Sequence, residues 1–117
     1  MKLLNKTTNK ILVPNLEKAS TFWTRSKGLL GREELPAGQG LWILHCNAIH
    51  TFFMKFPIDC VFVDRKMVVR KVMHKVKPWR VTFPVLFARD VIELPAGFLD
   101  SNPIRVGEQL HVDHPLS

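Results

Sequence analysis

The residues best suited to chemistry are concentrated between positions 45 and 60, where histidine, cysteine, aspartate and lysine alternate with aromatic and aliphatic residues. If residues 49–56 form a strand, His50 and Met54 share one face, and Thr51 and Lys55 share the other. Neither face is wholly polar, which is typical of a strand that is covered on both sides. We therefore expect these four side chains at strand ends or around a partly buried cavity.

Asp59 follows Pro57-Ile58 and directly precedes the apolar run 60–63, so its carboxylate is expected to be poorly solvated. A buried carboxylate needs hydrogen bonds or a cation. Asp59 either faces Lys55 or His50 in a pocket, or accepts backbone hydrogen bonds in the turn after Pro57, which is the commoner arrangement.

Metal binding and nucleophilic catalysis are weaker interpretations of the same segment. Residue types that bind zinc are present at His45, Cys46, His50, Asp59 and Cys60. Their spacing matches neither a Cys-x-x-Cys pair nor a HExxH helix. A Cys46–His50 nucleophile and base pair would also require a thiol of lowered pKa, which the sequence does not indicate. We predict no metal and no cofactor, and the sequence does not decide whether the chain is an enzyme.

A cationic segment lies further along the chain, where residues 70–80 contain six basic side chains, counting histidine, and end in Trp79-Arg80. Strand alternation would place most of its lysines on one exposed face, which suits either an anion-binding strip or the protection of a sheet edge. Trp79 could stack on a base or sugar, although a tryptophan beside proline more often covers the core. No nucleic-acid-binding motif accompanies this segment.

The elements that must position these residues are mostly strands. Short apolar runs separated by proline, glycine and aspartate occur at 11–13, 41–44, 49–54, 60–63, 67–73, 91–94 and 110–112. The spacing of Leu16, Ala19, Phe22 and Trp23 predicts one helix that begins after Asn15 and ends at Gly28. We predict an α+β fold, in which a mainly antiparallel sheet curls toward a small, partly closed barrel, with one principal helix near the N-terminus.

Length and composition indicate one globular domain, residues 1–117, because 46% of the residues are apolar and 23% are charged. The net charge of +7 is compatible with an anionic ligand or partner but identifies none. The sequence contains neither a signal peptide nor an apolar run of about 20 residues, so we expect a cytoplasmic protein with reduced cysteines and no membrane partner. The pentapeptide Glu-Leu-Pro-Ala-Gly occurs at 34–38 and 93–97, and we interpret the two copies as similar turns rather than as a repeat.

Several segments together resemble a prokaryotic family, domain-of-unknown-function family number 192, over about residues 8–113. The resemblance is carried by Lys27-Gly28-Leu29-Leu30-Gly31-Arg32, Gly40-Leu41-Trp42-Ile43, residues 49–59 (IHTFFMKFPID), Val61-Phe62-Val63-Asp64, residues 93–97 (ELPAG) and Val106-Gly107-Glu108. It implies a small β-rich domain without an established activity. The positions that match the family motif are Gly28, Met54, Lys55, Pro57, Asp59, Glu93, Leu94, Pro95, Gly97 and Gly107.

These observations predict a small binding or accessory module with a partly polar pocket. The candidate binding residues are His50, Thr51, Met54, Lys55, Asp59, Trp79, Arg80 and Glu93. One alternative is a small hydrolase or metal-dependent enzyme that uses His50, Asp59 and Glu93. Another is nonspecific nucleic-acid binding through the basic segment 70–80.

Overall fold

A computed structural model describes residues 1–114, except for the side chain of Phe22. This part of the chain is mainly β and contains eight strands and two short helices. In chain order they are β1 (Lys2–Asn5), β2 (Lys10–Val13), β3 (Asn15–Ala19), α1 (Phe22–Lys27), β4 (Gln39–Ile43), β5 (Ile58–Val63), β6 (Val69–Val76), β7 (Asp90–Pro95), α2 (Phe98–Ser101) and β8 (Leu110–Asp113).

The strands form two sheets. The larger sheet has five strands in the order β3-β4-β7-β5-β6, and the smaller has three in the order β2-β1-β8. All pairs are antiparallel except β3 with β4. Strands β3 and β6 are the edges of the larger sheet, so the strand pairing within residues 1–114 does not close a barrel.

The core lies on both faces of the larger sheet, as strand β5 shows. All six of its residues are buried. Val61 and Val63 pack with the smaller sheet, whereas Cys60 and Phe62 face the opposite cluster. That second cluster is covered by the segment after α1 and by the connection between β4 and β5, and it contains the cavity described below.

The predicted helix from Leu16 to Lys27 is wrong in its first half. Residues 15–19 form strand β3, which pairs with β4 in parallel, and the helix begins only at Phe22. Its N-cap is Thr21 rather than Asn15, since Thr21 and Thr24 form a reciprocal capping box. Leu16 and Ala19 are buried, as their spacing suggested, but pairing with β4 decides their conformation.

The predicted strand at 49–54 is also absent. This segment makes a single isolated bridge between His50 and Val81, and the chain turns at Phe53, where φ is 64°. Its Met54 N–H donates to the Thr51 carbonyl at 3.2 Å, which closes the turn. Strand alternation therefore does not decide which side chains of this segment point inward.

The two helices contain six and four residues, and within residues 1–114 neither could cross a lipid bilayer.

Candidate functional site

A cavity of about 110 Å³ lies between α1, the connection 46–54 and the inner face of the larger sheet. Its walls combine apolar residues with six polar or thiol-bearing side chains. The apolar walls include Leu29, Ile43, Ala48, Ile49 and Met54, and the other six are Arg25, Ser26, Lys27, Cys46, His50 and Glu93. An apolar cavity with a few polar groups is the usual form of a small-molecule site.

Glu93 supplies a carboxylate to the cavity from the middle of the larger sheet. It lies on β7, where its neighbours Ile92 and Leu94 point to the opposite face, and it is paired across the sheet with Cys60. The side chain is 5% exposed, and its Oε2 atom has no hydrogen-bond partner. Burial raises the pKa of Glu93 to about 7, although the charge of Arg32 acts to lower it.

Arg25 supplies a guanidinium from the last turn of α1. Its Nε atom is buried and has no hydrogen-bond partner. The helix ends directly after it because Gly28 adopts a φ of 49°, a conformation that favours glycine. This ending turns Leu29 into the cavity wall. One wall therefore carries a guanidinium nitrogen without a hydrogen-bond partner, and another carries a carboxylate oxygen without one.

The two cysteines lie on the same side of the sheet as Glu93. Cys46 is half-buried and donates from Sγ to the Ala48 carbonyl at 2.9 Å, while Cys60 is fully buried. Burial raises the pKa of both thiols, well above the usual value in Cys60, and the charge of Glu93 adds to the effect. Neither is a thiolate nucleophile in this environment.

The structure brings three of the predicted site residues to one cavity: His50, Met54 and Glu93. Thr51 is fully buried outside it and joins two loops. Its hydroxyl donates to the Lys77 carbonyl at 2.6 Å and accepts from the Arg80 N–H at 2.9 Å.

Lys55 and Asp59 also lie outside the cavity, and they differ in exposure to solvent. Lys55 is exposed and forms an ion pair with Glu33 at 2.6 Å. Asp59 is fully buried, and its two oxygens accept hydrogen bonds from the N–H groups of Lys75 and Leu99, each at 2.8 Å. These bonds attach β5 to β6 and to α2. Asp59 thus accepts backbone hydrogen bonds, as one interpretation expects, but from distant elements rather than in the turn after Pro57.

Trp79 and Arg80 are exposed and border a different surface. The Trp79 ring lies 4.7 Å from that of Phe53 and 6.0 Å from that of Phe52. Phe52 in turn lies 5.3 Å from His50, whose side chain reaches the cavity mouth. Trp79 is therefore connected to the cavity only through a row of aromatic rings.

The residues between 1 and 114 contain no group of three His, Cys, Asp or Glu side chains arranged to hold a metal ion. His50 and Glu93 share the cavity, but Asp59 is engaged with two backbone N–H groups elsewhere. The proposed hydrolase set of these three residues is therefore not assembled in one place.

The sequence analysis identifies neither Arg25 nor Ile49 as a site residue. A cation in the last turn of a helix, such as Arg25, is favourable in any protein and therefore carries no signal of function. Ile49 is a wall residue whose orientation depends on the irregular chain path between 46 and 54. Glu93, which the sequence did predict, stands out as a lone acid in the apolar run 91–94.

These features define a small two-sheet β domain with a cavity beside its first helix, and a buried glutamate lines that cavity. The chain belongs to the DUF192 family, whose description is "Uncharacterized ACR" and whose model matches residues 3–112. It is 32% identical over 113 residues to a UPF0127 protein of Thermococcus sibiricus, covering 92% of this chain and 72% of that protein. A UPF0127 protein of Pyrococcus horikoshii is also 32% identical, with coverage of 92% and 96%.

The fold is similar to a crystal structure of a protein of unknown function from Novosphingobium aromaticivorans, with a TM-score of 0.79. The two chains are 21% identical, and the similarity covers 95% of this chain and 82% of the other. At this identity the similarity concerns the fold alone.

Proposed function

We propose that this protein is a binding module that takes a small polar molecule into the cavity at Glu93. The observation that carries the proposal is the buried Glu93 Oε2 atom, which lines the cavity and has no hydrogen-bond partner. An unsatisfied buried polar group costs about 1–3 kcal/mol. A ligand that donates a hydrogen bond to Oε2 would recover part of that cost.

The shape and lining of the cavity restrict the ligand. A volume of about 110 Å³ fits a molecule or molecular fragment of only a few non-hydrogen atoms. Ile43, Ile49 and Met54 provide apolar contact, whereas Glu93 and Arg25 provide the polar recognition. Ordered water would fit the same space, so the test must distinguish a bound solute from solvent.

The test uses ethanolamine, which carries a hydroxyl and an ammonium group, in an NMR titration followed by backbone amide signals. We expect saturable shifts at Ile49 and Glu93, with a dissociation constant on the order of 1–10 mM for so small a probe. Glu93→Gln should weaken binding by about tenfold, since it removes the charged acceptor. Titration curves that stay linear at these amides would contradict the proposal.

A second variant blocks the cavity without altering its charges. Ala48→Leu adds volume to the wall and should abolish binding, while Ala37→Leu adds the same volume at an exposed turn and should leave it unchanged. Equal binding by both variants would place the ethanolamine site outside the cavity.

We also infer that the two sheets act together as a partly closed barrel. Hydrogen bonds from the edge strands of the larger sheet to residues that precede β1 and β8 support this: Leu16 N–H donates to the Met1 carbonyl at 2.8 Å, and Val69 N–H donates to the Glu108 carbonyl at 2.9 Å. We expect both amides to exchange with solvent as slowly as those of β5. Exchange at the rate of exposed loops would favour two separable sheets.

A further inference from the structure

The Glu93 cavity continues into two more open depressions that meet at Cys46. One, of about 230 Å³, shares Arg25, Ser26, Ile43 and Cys46 with the cavity and adds His45. The other, of about 400 Å³, is lined by His45, Cys46, Asn47, Arg65, Ala88 and Arg89. We call the cavity and these two depressions together the Cys46 groove, because Cys46 lines all three.

Buried polar atoms without a hydrogen-bond partner are concentrated in residues of the groove. Within residues 1–114, the buried side-chain nitrogen and oxygen atoms without a hydrogen-bond partner are Arg25 Nε, Arg89 Nε and Glu93 Oε2. All three belong to residues that line the groove. Buried polar groups are almost always hydrogen-bonded, so three exceptions along one groove point to partners from outside the chain, either water or a ligand.

The charged side chains of the groove are mainly cations. Arg25 and Lys27 line the cavity together with Glu93, Arg25 also lines the smaller depression, and Arg65 and Arg89 line the larger one. Asp90 is the acid beside Arg89, but the Arg89 Nε lies 3.8 Å from its Oδ1 atom, beyond hydrogen-bond distance.

The two oxygens of Asp90 are already used to hold the groove wall. They accept hydrogen bonds from the Trp42 indole N–H at 3.0 Å and from the His45 N–H at 2.9 Å. The Cys46 N–H also donates to the Arg89 carbonyl at 2.6 Å. The segment that carries Arg89 is thus fixed to residues 45–46 before any ligand arrives, which reduces the entropic cost of binding.

We propose that the Cys46 groove binds a small organic anion, a carboxylate or a phosphate, that also carries a hydroxyl or amino group. Its anionic group is held by the guanidinium groups of Arg25 and Arg89, and its hydroxyl or amino group donates to Glu93. The proposal rests on the function proposed above, since both use the Glu93 end of the groove. It adds the anion subsite and with it the chemical class of the ligand.

Linked and unlinked probes test the subsite. Ethanolamine, inorganic phosphate and phosphoethanolamine are titrated separately into the full chain and followed by backbone amide signals. We expect phosphoethanolamine to bind at least about tenfold more tightly than ethanolamine, because it adds a charge-assisted hydrogen bond to the same donor contact. Its shifts should include His45, Cys46 and Arg89 as well as Glu93. β-Alanine replaces the phosphate by a carboxylate, and the tighter of the two linked probes identifies the anion.

Variants assign the effect to the groove. Arg89→Gln should remove the advantage of the linked probes while leaving ethanolamine binding unchanged, because Arg89 does not line the Glu93 cavity. Arg25→Gln, on a different element, should also remove that advantage. Arg105→Gln removes one positive charge from an exposed loop outside the groove and should change neither. The amide spectra show at the same time whether each variant is folded.

The outcomes separate the two proposals. If neither linked probe exceeds ethanolamine, or if Arg105→Gln weakens them as much as Arg89→Gln, the anion subsite is refuted while the Glu93 cavity stands. If ethanolamine itself leaves the Glu93 amide unmoved, the proposed function fails as well.

Discussion

At the scale of single residues, two buried carboxylates differ in their hydrogen bonding. Asp59 accepts two backbone N–H bonds and ties three elements together, whereas Glu93 has an oxygen without a partner at the wall of a cavity. Hydrogen-bond donors make a buried carboxylate a structural group, and their absence leaves it available to a ligand. This difference, rather than burial itself, is why we assign binding to Glu93.

Glu93 should make folding stability depend on pH. Its pKa is raised from the ordinary 4.5 to about 7, so the folded protein holds more protons than the unfolded chain between these values. The free energy of unfolding should therefore fall as the pH rises through this window, by up to about 3 kcal/mol from this residue. Glu93→Gln should remove that fall.

The measurement is urea denaturation of both proteins at pH 4.5 and at pH 8. The difference in stability between variant and wild type should shift in favour of Glu93→Gln at the higher pH, because other groups titrate alike in both proteins. If the stability difference between Glu93→Gln and wild type is the same at pH 4.5 and at pH 8, the Glu93 carboxyl has its ordinary pKa.

Asp59 should matter for stability rather than for binding. Asp59→Asn keeps the shape but replaces one accepting oxygen by a donor that faces a backbone N–H, so we expect a loss of about 2–3 kcal/mol in urea denaturation. Asp100→Asn is the control, since that acid is exposed and its partners Lys75 and His74 lie on the surface, and it should have a much smaller effect. Equal losses of stability in the two variants would show that Asp59 stabilises the fold no more than an exposed acid does.

At the scale of elements, the loops 49–54 and 77–82 are joined by backbone hydrogen bonds and by the hydroxyl groups of Thr51 and Thr82. Thr51 bonds to the Lys77 carbonyl and the Arg80 N–H through its side chain, and its own N–H donates to the Arg80 carbonyl. This junction fixes the segment that carries Ile49, His50 and Met54 into the cavity wall.

Removing the hydroxyl should loosen this junction selectively. In Thr51→Val the Arg80 amide loses its acceptor, and we expect its hydrogen exchange to quicken by about tenfold or more relative to wild type. Thr51→Ser keeps the hydroxyl and should preserve the slow exchange. If both variants exchange alike, the side-chain bonds do not hold the two loops together.

The sequence predicted the strands well and their surroundings less well. Runs such as 60–63 and 91–94 form buried strands because most of their residues are apolar and several are β-branched, which favours a strand in any sheet. Leu16 and Ala19 have a spacing that fits a helix, but pairing with a distant strand overrides it. Of the eight candidate site residues, three share the cavity, because the irregular path of 49–54 cannot be read from a period of two.

The basic segment shows a similar limit. Strand β6 is a sheet edge, as one interpretation of its cations expects, but Lys75 has a φ of 48° and breaks the alternation of faces. Arg70 pairs with Asp64, and His74 and Lys75 pair with Asp100. Two acids, Asp64 and Asp100, therefore balance part of the charge that suggested an anion-binding strip.

At the scale of the whole molecule, the net charge is +7. A general positive field attracts polyanions without defining a site, and such attraction weakens steeply with salt. The cytoplasmic location, like nonspecific nucleic-acid binding, stays a prediction from the sequence.

We expect polyanion binding to depend on charge number rather than on position. Lys71→Gln, on β6, and Arg105→Gln, far along the chain, should lower the salt concentration needed for elution from immobilised single-stranded DNA by the same amount. Both residues are exposed, so neither change should affect folding. A much larger effect of Lys71→Gln would restore the basic segment as a nucleic-acid site.

The central claim is that Glu93 is a ligand-binding carboxylate at the wall of a cavity. Its most direct test is a titration with ethanolamine that follows the ¹³C signal of the Glu93 carboxyl at pH 6 and pH 8. We predict a saturable shift of that signal and tighter binding at pH 8, where Glu93 is ionised while an aliphatic ammonium keeps its charge. A Glu93 carboxyl signal that titrates with pH but does not respond to the probe at either pH would contradict the claim.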